Sequence, residues 1–109
     1  MKKKIIRELR DLTDKAYRNQ LDRELSILEE GFKDWKNKKI DCFELSDRIH
    51  QFHDGSARDL WKRYTYSKDY AYSVAIAIVE GSLQKSDISE EAYNQLKHII
   101  ERHFQDTSD

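Results

Sequence analysis

The residues best suited to chemistry lie together in one stretch, FELSDRIHQFHDGSARDLW, which covers residues 43–61. Histidine exchanges protons near neutral pH and arginine stabilises negative charge on oxygen, so Arg48, His50 and His53 are the candidates for catalysis. On a helical wheel, however, Arg48 and His53 lie at opposite borders of the apolar face, and His50 lies further outward. The favoured interpretation is therefore structural, with His53 at the edge of the core and the other two on the surface.

A metal site is a weaker alternative for the same stretch. Asp47, His50 and Asp54 are spaced three and four residues apart on one helical face, and carboxylates with imidazole can bind zinc or iron. Only this one helix supplies ligands, the paired Glu-x-x-His motifs of a di-iron bundle do not occur, and His98 stands alone on the last helix. We therefore predict no metal and no other cofactor.

The six residues RIHQFH, 48–53, resemble the motif of HEPN-domain ribonucleases, in which four residues separate an arginine from a histidine. The resemblance implies a metal-independent ribonuclease with its site at a dimer interface. His53 would then remove the proton of a ribose 2′-hydroxyl, and Arg48 would stabilise the pentavalent phosphate. This sequence departs from the family's usual form, because apolar Ile49 follows the arginine and the motif lies in an early helix.

The longer phrase LSDRIHQFHDGSARDLW, residues 45–61, also resembles stretches in small uncharacterised bacterial all-helical proteins. That resemblance implies a helical fold and no known activity. Common enzyme signatures, such as a glycine-rich phosphate loop, a nucleophile elbow, HExxH or CxxC, do not occur in the chain. We therefore expect a non-catalytic protein, with the ribonuclease as the alternative.

The elements that must position these residues are expected to be helices. The chain of 109 residues has no proline and only three glycines, so long helices meet few interruptions. Apolar and charged residues each make up 38%, which suits a small domain with a thin core and exposed helix faces. We predict a single all-α domain over residues 1–109, bundle-like and built of four to five helices, with residues 1–4 and 105–109 frayed.

The first helix is expected to be unusually long. Apolar residues recur every three or four positions from Ile5 to Trp35, which predicts an amphipathic helix of about nine turns. The stripe slips near residues 18–20, so a kink there is the alternative. So long a helix must project from a small domain, pair with a second copy or be covered by the later helices.

The lysine-rich residues 37–39 mark the expected end of this helix, and Asp41 is the expected cap of a second one. Gly55 is predicted to close the second helix in a left-handed conformation, and Ser56 to cap a third. Asp54, Gly55 and Ser56 are thus interpreted as a structural junction.

An uncharged segment, YAYSVAIAIV at residues 70–79, alternates large and small side chains and therefore also fits a strand. It has no second strand to pair with, so we predict a buried helix, too short to cross a bilayer. Ser89 is expected to cap the last helix.

Exposed aromatic and aliphatic residues are the best indication of function. The first helix carries more apolar positions than a thin core can cover, and Trp and Tyr often anchor interfaces. We predict a non-catalytic interaction or regulatory module that binds itself or another protein, most simply as a homodimer. The expected interface residues are Leu21, Leu25, Leu28, Phe32, Trp35 and Trp61.

Charge and composition limit the remaining possibilities. Residues 1–40 carry 12 Lys or Arg against 8 Asp or Glu, and residues 41–109 carry 8 against 13, so the halves differ in sign. Acidic residues interrupt the basic half, which argues against nucleic-acid binding. No apolar run reaches the length of a membrane span, and the lone Cys42 rules out an internal disulfide. The expected location is the cytoplasm.

Overall fold

The computed structural model describes residues 2–66 and 68–107, and over these ranges the protein is all-α, with no strand. Five α-helices follow one another along the chain. They are α1 (Lys3–Lys36), α2 (Cys42–Gln51), α3 (Arg58–Thr65), α4 (Tyr70–Glu80) and α5 (Glu90–Thr107). The expected bundle-like fold with a long first helix is confirmed.

Helix α1 runs without interruption through residues 18–20, where the apolar stripe slips. Its 34 residues correspond to about 51 Å of helix, and the molecule measures 53 Å along its longest axis. The helix begins at Lys3 and ends at Lys36, so Lys3 and Lys4 of the amino-terminal segment expected to be frayed are helical. The helix α5 likewise includes residues 105–107, while residues 108–109 lie outside the described ranges.

The turn between α1 and α2 follows the sequence prediction. Asp41 caps α2, because its carboxylate accepts a hydrogen bond of 2.8 Å from the Glu44 amide. In the turn itself Lys38 adopts a left-handed backbone conformation, with a φ of 62°. The two helices therefore form an antiparallel hairpin.

The predicted junction at Gly55 is wrong. Residues Phe52–Ala57 form a π-helical segment that connects α2 to α3 without a break. Gly55 has no left-handed backbone angle and Ser56 caps no helix, since the chain never leaves the right-handed helical region here. A π-helical turn inserts an extra residue into a helix. The glycine and serine signals for a turn are thus overridden by one continuous rod from Cys42 to Thr65.

Helix α4 confirms the prediction for residues 70–79 and supplies the centre of the core. Gly81 ends it with a left-handed φ of 83°. Ser89 caps α5, accepting from the Ala92 amide at 3.2 Å. The core cluster draws on the first half of α1, on α3, α4 and α5 and on the α4–α5 link: Ile5, Leu9, Leu12, Ala16, Tyr64, Val74, Ala75, Ala77, Leu83, Ile88, Ala92, Leu96 and Ile100.

Polar contacts attach the α4–α5 link to α1. Lys15 Nζ donates to the Asp87 carboxylate at 2.7 Å, and the Gln84 amide donates to the same carboxylate at 2.8 Å. Both interactions favour the ionised form, so the Lys15 ammonium and the Gln84 amide hold the pKa of Asp87 below its ordinary value. Two turns earlier along α1, Glu8 accepts two hydrogen bonds of 2.7 Å, from the backbone amide and the hydroxyl of Ser89.

Candidate interaction surface

The second half of α1 lies outside this core and carries a stripe of apolar side chains. Leu25, Phe32 and Trp35 are 44%, 39% and 42% exposed, and Leu21 and Leu28 are half-buried. The α4 and α5 helices pack on the first half of α1, where the core cluster ends at Ala16. The only cover for the second half is therefore α2, the π-helical segment and α3 in the part of the chain that the structure describes.

The spacing of the stripe is that of a coiled-coil seam. Leu21, Leu25, Leu28, Phe32 and Trp35 follow steps of four, three, four and three residues. That alternation keeps side chains on one line along a helix and is the pattern by which one helix packs knobs-into-holes against another. The stripe is therefore suited to a helical partner.

Gly31 marks where α2 approaches α1. A Cβ atom added to Gly31 would lie 3.4 Å from Arg48 Cδ and 3.6 Å from Leu45 Cδ1. Leu45 is buried, whereas Arg48 extends along the edge of the contact and meets the Asp34 carboxylate at 3.6 Å. A Cβ atom at Gly31 would thus make ordinary van der Waals contact with α2, so Gly31 lies at the contact between the two helices.

The Arg48–Asp34 ion pair shows which sides of the two helices correspond. Relative to Gly31, helical spacing puts Asp34 on one side of α1 and Trp35 on the other. Relative to Leu45, the same spacing puts Arg48 on one side of α2 and Ile49 on the other. Because Arg48 reaches Asp34, Ile49 lies on the side of the hairpin that carries Trp35.

Trp61 belongs to the same side. His53 lies one turn beyond Ile49 and lines a pocket with Ala57 and Trp61. Ile49 and Trp61 are 38% and 46% exposed, and the Trp61 ring is held edge-on against Tyr66 at 5.1 Å between ring centroids. We call this apolar side of the hairpin the uncovered face. It consists of seven residues, five on α1 and two on the neighbouring rod of α2 and α3: Leu21, Leu25, Leu28, Phe32, Trp35, Ile49 and Trp61.

The catalytic candidates Arg48 and His53 are not brought together within the chain. Arg48 is engaged by two carboxylates, with Glu44 at 3.0 Å and Asp34 at 3.6 Å. His53 lies on the opposite side of α2, in the shallow pocket that Trp61 closes. His50 is exposed and belongs neither to the ion pairs of Arg48 nor to the pocket of His53. The expected placement of Arg48 at the surface agrees with the structure, but His53 is exposed rather than at the edge of the core.

The weak metal candidates Asp47, His50 and Asp54 form no binding group. Within residues 2–66 and 68–107, no three His, Cys, Asp or Glu side chains are close enough to hold a metal ion. The π-helical segment contributes to this, because an extra residue between His50 and Arg58 rotates Asp54 away from its α-helical position.

Tyr64 packs where the hairpin meets the core. Its ring stacks on Tyr17 at 5.3 Å between centroids and 13° between planes. Burial disfavours the phenolate and raises the pKa of Tyr64. The hydroxyl lies close enough to Gln20 to interact with it electrostatically but makes no hydrogen bond of normal geometry. Gln20 Nε2 itself donates to Ser82 Oγ at 2.7 Å. A buried donor is thus left unsatisfied.

One group of polar residues escaped sequence analysis. His98, expected to stand alone, lines a pocket with Arg102 and His103 of α5 and with Tyr72 of α4. His98 and Arg102 are four residues apart, which is a signal in the sequence that these two side chains share one face of a helix; His103 follows Arg102 directly and lies to the side of that face. The contribution of Tyr72 depends on how α4 and α5 align.

No protein-family model, curated protein or solved structure matches this chain. Among the described residues, no helix has both the length and the apolar character needed to cross a bilayer. Function has to be inferred from the surfaces and pockets themselves.

Proposed function

We propose that the protein is a non-catalytic helical module that self-associates through the uncovered face of its hairpin. The observation that carries this proposal is the partly exposed seam on α1, in which five apolar side chains alternate in steps of four and three residues. A monomer leaves 39–44% of Leu25, Phe32 and Trp35 in water. Since complete burial of such a side chain contributes roughly 1.5–3 kcal/mol, covering the exposed part contributes about 1 kcal/mol for each.

A second copy of the chain is the simplest partner. A coiled-coil seam needs another seam to interdigitate with, and a copy provides one of matching spacing and length. Two hairpins packed face to face would bury Trp35 and Trp61, the types of residue that dominate the energy of interfaces. The product would be a four-helix arrangement in which both helices of each hairpin contribute to the contact.

The dimensions of the face suit a small contact. The second half of α1 extends over about 25 Å, and two packed helices are about 20 Å wide. The projected area is then about 500 Å² per copy, below the roughly 800 Å² per partner of a standard interface. A weak, reversible dimer is therefore expected rather than a larger assembly.

A cytoplasmic location accompanies this proposal, because the lone Cys42 is exposed and has no partner for a disulfide within the described residues.

An enzymatic function ranks second. The ribonuclease alternative requires Arg48 to leave the carboxylates of Glu44 and Asp34 and to meet a histidine from elsewhere.

Sedimentation velocity over a roughly hundredfold range of concentration tests the proposal, since a self-associating protein shifts towards the dimer by mass action. A sedimentation coefficient that stays at the monomer value throughout would reject it. A ribonuclease assay on single-stranded RNA without metal provides the complementary test, in which cleavage that is lost with Arg48→Ala would favour the enzyme.

A further inference from the structure

A pocket between α4 and α5 combines polar walls with an apolar floor. Tyr72 and Ile76 contribute from α4, and His98, Ile99, Arg102 and His103 from α5. The cavity has a volume of about 360 Å³. The lining is more polar than apolar, and converging polar groups in a concave surface are one feature of small-molecule sites.

The side chains in this pocket favour negative charge. Arg102 is a permanent cation, and the His98 imidazole and the Tyr72 hydroxyl can donate hydrogen bonds. No described carboxylate lines the pocket. Other pockets of the protein place acids beside their cations: Asp54 beside Arg58, and Glu90 beside Lys85 and Lys97.

Charged residues of both signs lie next to Tyr72. The Asp69 carboxylate caps α4 and accepts a hydrogen bond of 3.1 Å from the Tyr72 backbone amide. Arg63 lies close enough to Tyr72 to interact with it electrostatically, and it is paired with Glu80 at 2.9 Å. The guanidinium of Arg102, by contrast, makes no ion pair with any described residue and is exposed to solvent. The pocket therefore has an available cation in the half of the chain that carries the excess of acids.

The floor indicates what the anion would be attached to. Ile99, which is half-buried, presents most of the aliphatic surface, with Ile76 beside it only 6% exposed, and Tyr72, which is 52% exposed, adds an aromatic ring. An inorganic ion would contact only the rim, whereas an organic phosphate would also bury its carbon skeleton on the isoleucines. A guanidinium binds phosphate oxygens with paired hydrogen bonds.

We propose that the α4–α5 pocket binds a small organic phosphate, with its phosphoryl group at Arg102, His98 and Tyr72 and its organic part on Ile76 and Ile99. This goes beyond self-association and does not depend on it, because none of these residues belongs to the uncovered face.

Titration of the full chain with phenyl phosphate tests the proposal, followed by amide and histidine NMR signals at about pH 6, where imidazole is substantially protonated. We expect saturable shifts confined to the pocket residues and weaker binding of inorganic phosphate. Arg102→Gln should weaken phenyl phosphate at least roughly tenfold, because it removes a charge-assisted pair of hydrogen bonds.

Lys97→Gln is the matched control, since it removes one positive charge from the same helix outside the pocket. Far-UV circular dichroism of both variants verifies the fold, and Tyr72→Phe provides a second variant that should weaken binding without a change of charge. The proposal is overturned if no saturable binding occurs, if Arg102→Gln and Lys97→Gln weaken it equally, or if inorganic phosphate binds as tightly as phenyl phosphate.

Discussion

Gln20 Nε2 donates a buried hydrogen bond of 2.7 Å to Ser82 Oγ, which joins the middle of α1 to the link between α4 and α5. The side-chain nitrogen Nδ2 of the neighbouring Asn19 donates to the Ser82 backbone carbonyl oxygen at 2.9 Å. These polar residues lie where the apolar stripe of α1 slips, and they have a structural role there. The part of α1 before Asn19 packs in the core, and the part after Gln20 belongs to the hairpin.

The Gln20–Ser82 hydrogen bond should contribute measurably to stability. Gln20→Ala and Ser82→Ala should each lower the free energy of unfolding by roughly 1–3 kcal/mol, because each leaves the other partner buried without its hydrogen bond. A double-mutant cycle in urea isolates the pair, with a coupling of about 1 kcal/mol expected. Additive effects of the two substitutions would show that the bond is energetically unimportant.

Two glycines should respond oppositely to the same substitution. Gly81→Ala should destabilise the protein by about 1 kcal/mol or more, because its φ of 83° disfavours any Cβ. Gly55→Ala should be neutral or stabilising by up to about 1 kcal/mol, because Gly55 lies within a right-handed helix. An added Cβ meets no atom within 4 Å at either position, so steric clashes do not contribute to the difference in stability between the two variants. Thermal unfolding of both variants measures the difference, and a strongly destabilising Gly55→Ala would contradict the π-helical connection.

The unsatisfied Tyr64 hydroxyl should make Tyr64→Phe neutral or stabilising by up to about 1 kcal/mol. The substitution keeps the ring that stacks on Tyr17 and removes a buried donor that has no partner. Tyr66→Phe, at an exposed tyrosine, is the control and should change nothing. Chemical denaturation measures both variants. A clear loss of stability in Tyr64→Phe alone would indicate that the hydroxyl is hydrogen-bonded in solution.

Asp87 predicts a pH-dependent contribution to stability. Its folded pKa is lowered, first by the hydrogen bond from Lys15 and then by the Gln84 amide, so its contribution is present above the unfolded pKa and is lost as pH falls. Asp87→Asn should therefore lower the urea midpoint at neutral pH, and the difference should shrink below about pH 4. Asp59→Asn, at an exposed aspartate, should show no such dependence. A deficit for Asp87→Asn that is the same at every pH would contradict the assignment.

The helices could be predicted from the sequence where local signals and packing agree. YAYSVAIAIV has too many alanines and no partner strand to be anything but a buried helix, and Asp41 caps α2 by a contact three residues away. The junction at Gly55 could not be predicted, because glycine followed by serine is a strong local turn signal. Only the packing of a rod from residue 42 to residue 65 against α1 overrides it.

The candidate sites also differ in whether local spacing in the sequence predicts them or only the packing of helices creates them. The seam from Leu21 to Trp35 is visible in the sequence, because its spacing belongs to one helix. Its exposure follows from the shortage of later apolar residues to cover it. The pocket of Tyr72 and His98 could not be predicted, because those residues are distant in sequence and meet only through the alignment of α4 with α5.

Self-association through the uncovered face is tested most directly by comparing two substitutions on α1. Leu25→Glu places a charge in the seam, whereas Ile27→Glu places the same charge at a side chain that is more exposed, at 62%, but lies on the other side of the helix. Since both positions face water in the monomer, neither change should unfold it.

Sedimentation equilibrium should find dimers for the wild-type chain and for Ile27→Glu, and a dissociation constant at least roughly tenfold larger for Leu25→Glu, because a charge buried without a partner in an interface is strongly unfavourable. A wild-type chain that remains monomeric at the highest concentration, or a Leu25→Glu variant that associates as tightly as Ile27→Glu, would contradict the account.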